Sequence, residues 1–264
     1  MISAILAGVA RHPRWVLGGA VALAGVLVGV HLLSAPDSDL RYAIPVLPPL
    51  LGLAALVLAS VALTRRRPAA FTVDAGAGVF RTPPPANHVL QAAGSAFMAT
   101  TMIMAAANSR TMQRDWPSPD PAVRFTDDVM VVLACLLVVL IVPQIAAVWR
   151  GIGVELGPDG LKDRSALGTL TVPWDALTTA SLPPTTPSAL SLRLTYARPD
   201  LVRAAGLPLT RRRISTDTVN ALFLAHAVHY YLVHPQRRQG IGTSAGYAEL
   251  MTALYGHRTD LSRS

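Results

Sequence analysis

The sequence predicts an α-helical transmembrane protein of four spans followed by a small cytosolic α+β domain. Three observations predict it. Four runs carry no Asp, Glu, Lys or Arg, and each is about 20 residues long, the length a helix needs to cross roughly 30 Å of hydrocarbon. The segments that connect these runs alternate in net charge. After Trp149 the apolar pattern changes from continuous runs to period two, the signature of half-buried strands.

Composition sets the frame. Of 264 residues, 52 % are hydrophobic and only 14 % are charged, against roughly 25 % in ordinary soluble domains. Mean hydropathy is +0.41. A disordered chain is excluded, because such chains lack the apolar surface to fold. Cys135 is the single cysteine, so a scaffold held by internal disulfides is excluded as well.

The four spans are expected at 16–33, 42–63, 89–107 and 129–149. A helix satisfies its own backbone hydrogen bonds, which hydrocarbon cannot do for it. The second run carries Pro45, Pro48 and Pro49 near its start, so that end is expected to be kinked or irregular. The third is Ala-rich and holds Gln91, Ser95, Thr100 and Thr101, the weakest hydrocarbon signal of the four. Arg11 and Arg14 precede the first run in the manner of a leader peptide. Ser34-Ala35-Pro36 makes a poor cleavage site, so this span is expected to be retained.

Net charges run +2, −1, +3, −1 and +5 along the N-terminal segment, the three connections and the C-terminal region. Basic residues accumulate on the cytoplasmic side of bilayers, so both termini are expected in the cytoplasm. Trp15, Tyr42 and Trp149 stand at span ends, where amphipathic rings anchor. The net charge of +8 then reflects topology and contact with anionic lipid, and no nucleic-acid partner is expected.

The spans hold no ionisable residue except His31 near an end, which counts against ion or proton coupling. Gly25 and Gly29 form a GxxxG pattern, a candidate helix-packing or dimerisation face. Met98 and Met102 stand one turn apart, with Met104 and Met112 nearby. Packing is the reading preferred to copper handling for these adaptable side chains.

In the C-terminal region, 153–156 reads as a strand, Pro158-Asp159-Gly160 as a turn, 161–167 as the returning strand and 169–174 as a third. Leu190, Leu192, Leu194 and Tyr196 alternate with polar residues over 189–196, after a Pro-rich loop at 182–188. Shorter strands are expected near 201–203 and 209–214. Ser215, Thr216 and Asp217 offer caps to a helix whose apolar stripe is Val219, Leu222, Phe223, His226, Tyr230 and Val233. Pro235 follows it. A last helix fits 244–255, with Tyr247, Leu250, Met251 and Leu254 as its stripe. The segment 71–81, between the second and third runs, is expected to form a hairpin around Gly76 and Gly78 on the same side of the membrane as the C-terminal domain; docking on that domain is a hypothesis that the sequence leaves open.

Val154-Glu-Leu-Gly-Pro-Asp-Gly-Leu161 followed by Thr171-Val-Pro-Trp-Asp-Ala-Leu177 resembles the first strands of the pleckstrin-homology-like domains of actinobacterial membrane proteins, a largely uncharacterised family. In that family Pro-Asp-Gly joins the first two strands and Val-Pro-Trp opens the third. The resemblance covers about 151–234 and implies a curved sheet capped by a C-terminal helix. It implies a bacterial polytopic membrane protein with that domain in the cytosol. One Lys against 22 Arg fits a GC-rich bacterial source. The domains expected are 1–149 in the membrane, 150–236 pleckstrin-homology-like, and 237–264 a short helix and tail.

Catalytic patterns are sparse. The sequence has no P-loop, no GxSxG and no CxxC. His226, His229 and His234 lack a carboxylate or thiol placed to complete a metal set, and Gly76-Ala-Gly78 and Gly240-Ile-Gly242 lack the strand and helix that dinucleotide binding requires. No enzyme, metal or cofactor is expected. Lys162, Arg164, Arg211, Arg212 and Arg213 are the candidate contacts for anionic headgroups. The reading is therefore a non-enzymatic multi-pass protein of the bacterial inner membrane. Its partners are expected to be the bilayer, a protein or anionic lipid at the cytosolic domain, and another copy of itself in a homo-oligomer. The alternative reading is a small oligomeric channel or carrier built from the four spans and the polar face of Gln91, Ser95 and Thr101.

Overall fold

In a computed structural model the chain divides into two compact units: Met1–Thr64 with Ala86–Trp149, and Arg65–Pro85 with Arg150–Ser264. The residues described are 2–34, 43–64, 67–83, 86–115, 121–165, 168–182, 185–206 and 213–256.

The first unit is helical. α1 (Ile2–Arg11) is a short apolar helix that the sequence reading left as an N-terminal tail; it buries Leu6 and Val9. α2 (Pro13–Leu33), α3 (Leu47–Thr64), α4 (Ala86–Asp115) and α5 (Pro121–Arg150) follow. Among the described residues, four stretches are long and apolar enough to cross a bilayer: Pro13–Leu33, Ile44–Thr64, Ala86–Ser109 and Val131–Arg150. The prolines of the second produce a separate 3-10 turn at Ile44–Val46. Pro48 and Pro49 then sit in the first turn of α3, where a missing N–H breaks no helical bond.

The third stretch explains its own weak signal. Its residues are 56 % buried, against 22, 17 and 22 % for the other three. α4 is the central helix, packed on α2 and α3, so it meets protein where they meet solvent or lipid. Thr100 and Thr101 donate to the carbonyls of Ala96 and Phe97, which hides both hydroxyls inside their own helix. His31 of α2 is buried and its Nε2 lies 3.0 Å from Asn108 Oδ1 of α4.

Close helix approach does not occur at Gly25 and Gly29. No heavy atom of the described residues lies within 4 Å of where a Cβ would stand at either, so among these residues they face no neighbour. The approach is at Gly52 of α3 and Gly94 of α4 instead. A Cβ on Gly94 would stand 3.1 Å from the Gly52 carbonyl oxygen and 2.9 Å from Leu56. Met98 covers Gly52, and Met104 is fully buried among Leu27, Phe97 and Ile44. Met112 lies among residues whose side chains are not described.

The second unit is an antiparallel sheet with helices. β1 (Thr72–Asp74) and β2 (Val79–Arg81) form the expected hairpin, and β3 (Gly153–Gly157), β4 (Gly160–Arg164) and β5 (Gly168–Pro173) follow across the expected turns. β6 is Ser191–Arg193, β7 is Arg203–Gly206 and β8 is Arg213–Ser215. The order β1-β2-β3-β4-β5-β7 makes one six-stranded sheet, and β6-β8 makes a separate ribbon. β2 pairs with β3 in the register Phe80↔Leu156 and Arg81↔Glu155. The connection between the second and third spans is thus built into the C-terminal sheet, and 65–85 falls with 150–264 in one unit.

β6 is shorter than the alternation at 189–196. Leu192 and Leu194 are buried while Leu190 is 62 % exposed. β7 and β8 are displaced from the expected strands, and 207–212 lie outside the described residues. α6 (Ala221–Val233) begins later than expected. Its cap is Asn220, whose Oδ1 accepts from Phe223 N at 3.1 Å, rather than Ser215, Thr216 or Asp217. Its buried face is Phe223, Leu224, Ala227, Val228 and Tyr231, and His226 is exposed. An apolar helix surrounded by apolar neighbours does not fix its own rotation, and Ala packs as readily as His projects.

α7 (Ser244–Tyr255) has the expected limits but is no separate tail. Leu250 and Ile241 belong to the core with Phe80, Leu156, Trp174 and Leu224. Tyr247 holds the hairpin: its Oη accepts from Phe71 N at 3.2 Å, and its ring meets Phe80 edge-on at 5.5 Å. Gly242 has φ +86° and a Cβ there would run into the backbone of Gly78. The two isolated GxG fragments of the sequence therefore meet one another.

Candidate functional site

The outer face of the sheet carries the charge. Val154, Leu156, Leu161, Leu170 and Val172 point to the core. Period two then turns Glu155, Lys162 and Thr171 the other way. The registers place Thr72, Arg81, Glu155, Lys162, Thr171 and Arg203 in one row across all six strands.

Glu155 is the hub. Its Oε1 lies 2.9 Å from Arg81 Nε and its Oε2 3.0 Å from Arg164 Nη2. Arg81 also reaches Asp74 at 3.1 Å. Charges thus alternate over β1, β2, β3 and β4, each bound to the next. Only 11 % of the Glu155 side chain is exposed, so these pairs are screened less than surface pairs. Arg164 further donates to the carbonyl of Arg150, the last residue of α5, at 3.3 Å.

Of the five candidate contacts, Arg164 is therefore occupied by structural bonds. Lys162 stands in the central row. Among the described residues neither it nor Arg203 has an ion-pair partner, and the two flank Thr171. Arg213 lies in the separate ribbon, exposed and in register with Arg193. Arg211 and Arg212 lie outside the described residues. The structure thus divides the three described candidates between two sheets. Arg203 and Arg193 escaped the sequence reading because only register, never spacing, makes them neighbours of Lys162 and Arg213.

A joint connects the two sheets. Asp163 of β4 is buried on the core side, and its Oδ2 accepts from Ser215 N of β8 at 3.0 Å. Oδ1 has no partner among the described residues. Burial pushes its carboxyl up to about 6, Ser215 N–H pulls it down and Asp217 adds a further push upward. No group of three or more His, Cys, Asp or Glu is placed to hold a metal among the described residues.

Fold and face together define a class: apolar helices of spanning length joined to an antiparallel sheet unit with a cation-rich outer face. Comparison with models of known families, with curated proteins and with solved structures finds no match.

Proposed function

We propose that the chain is a non-enzymatic multi-pass protein of a bacterial inner membrane, with both termini in the cytoplasm. Its sheet unit is pleckstrin-homology-like in kind and binds anionic lipid at the membrane surface. One observation carries this reading. Among the described residues, Lys162 and Arg203 are cations without an ion-pair partner on a sheet face where Arg81, Glu155 and Arg164 neutralise one another. The unit also joins the span-length helices at three points of the chain, after Thr64, before Ala86 and after Trp149, which favours a role at the membrane surface. Each basic residue near an anionic surface contributes about 1 kcal/mol.

The test is native mass spectrometry of the full chain released from detergent with phosphatidylglycerol and phosphatidylcholine offered together. Preferential retention of phosphatidylglycerol, reduced in K162Q/R203Q, is expected. Equal retention of the two lipids sinks the reading, and solute flux through liposomes that hold the purified chain replaces it with the channel or carrier.

A further inference from the structure

The β6–β8 ribbon places two arginines where strand chemistry disfavours them. Arg193 and Arg213 are direct cross-strand partners. Partners in an antiparallel pair stand about 5 Å apart, and like charges there repel. Leu192 and Ile214, the adjacent pair, are fully buried, so Arg193 and Arg213 project from the opposite face, and both are exposed. Ser191 and Ser215 form the next pair on that face. Among the described residues no carboxylate pairs with either arginine. A ribbon face with two guanidinium groups and two hydroxyls, and with no ion pair to either guanidinium among the described residues, is complementary to a phosphate, which guanidinium forks bind bidentately.

The far end of the ribbon is tied to the chain where it leaves two span-length helices. Arg67 Nη1 donates to the carbonyl of Ala189 at 2.7 Å, and Thr216 Oγ1 donates to the same oxygen at 2.6 Å. Arg67 is three residues beyond the end of α3, a reach of at most about 10 Å. Ser215 is held by Asp163, the neighbour of the residue that binds the Arg150 carbonyl.

We propose that Arg193 and Arg213 together clamp the phosphate of an anionic lipid headgroup. The proposal rests on the membrane-surface reading above and names a site within it. The phosphate relieves the repulsion between the arginines, and the clamp orders the ribbon.

The experiment is amide hydrogen exchange of the full chain in nanodiscs of phosphatidylcholine, with and without phosphatidylglycerol. In the wild type, phosphatidylglycerol is expected to slow exchange over 189–193 and 213–216 roughly tenfold, as occupancy at about ten times the dissociation constant gives. R193Q/R213Q is expected to lose that protection. R198Q/R237Q removes equal charge from arginines that already pair with Asp200 and Glu249, and it is expected to keep it. The core pair Leu192 and Ile214 is untouched in R193Q/R213Q, and exchange of this variant in phosphatidylcholine no faster than that of the wild type confirms its fold. Protection by inorganic phosphate alone, equal to that by phosphatidylglycerol, overturns the lipid as the source. Protection that survives in R193Q/R213Q, or that appears only over β4, β5 and β7, overturns the clamp and leaves the membrane-surface reading standing. No response to phosphatidylglycerol anywhere in the sheet unit overturns both.

Discussion

The two units use the same apolar residues in opposite ways. In the helical unit, Leu33 is 88 % exposed, Trp15 83 % and Val139 66 %. In the sheet unit, Phe80, Val154, Leu156, Leu192 and Ile214 are all fully buried. Large apolar side chains turned outward are costly in water and neutral in hydrocarbon. The helical unit is therefore stabilised by close backbone approach, as at Gly52 and Gly94. The sheet unit is stabilised by removing aromatic and aliphatic surface from water. The lesson is that the solvent each half was built for can be read from which way its leucines face.

The contrast is open to being broken. Phe80 joins the interspan hairpin to the C-terminal core, stacked near Phe71 and edge-on to Tyr247. Phe80→Ala is expected to destabilise the sheet unit by about 3–5 kcal/mol. Proteolysis of the full chain at Arg81 should become rapid while the helical unit still resists, and equal resistance of both would show that the hairpin is not integral.

Glycines sharpen the comparison. Gly242→Ala meets both a left-handed φ and the backbone of Gly78, a combined cost of about 3 kcal/mol. Gly25→Ala meets nothing within 4 Å and is expected to change thermal stability by no more than about 0.5 kcal/mol. A larger loss at Gly25 would reveal a helix from another chain against that face.

Asp163 tests the joint between the two sheets. Its carboxyl titrates near 6 when folded and near 4 when unfolded. The folded state therefore holds the proton more tightly. The stability due to this group is complete below pH 4 and is lost as pH rises through about 6, by roughly 3 kcal/mol. Asp163→Asn removes that slope. The difference in melting temperature between wild type and variant should therefore change between pH 4 and 7 and be constant above. A constant difference throughout would show that Asp163 is not held as described.

The smallest effect has the opposite sign. Arg213→Gln removes a like-charge pair with Arg193, so in lipid-free detergent it is expected to stabilise the unit by about 0.2–1 kcal/mol. A destabilisation would point to a carboxylate that neutralises Arg213.

Much of this was legible without coordinates. The four apolar runs, the Pro-Asp-Gly turn and the limits of α7 follow from local chemistry, because hydropathy, proline φ and helical period act over a few residues. The hairpin at 72–81 was also within reach, since its glycines mark the turn. What spacing does not carry is register. Glu155 is an ordinary strand glutamate until β2 and β4 bring Arg81 and Arg164 to its two oxygens. The rotation of α6 that exposes His226 is equally nonlocal, as is the choice of Gly52 and Gly94 over the GxxxG of α2.

By itself, then, the sequence determined which segments avoid water, where strands turn and where helices end, since each of these depends on neighbours along the chain. Tertiary structure alone decided that 65–85 and 150–264 form one unit, that Lys162 stands in a row with Arg203, and that Arg193 faces Arg213. Those facts depend on pairing between residues up to 76 positions apart, as for Phe80 and Leu156, and the free energy of such pairing is set by packing and hydrogen bonds that no local pattern records.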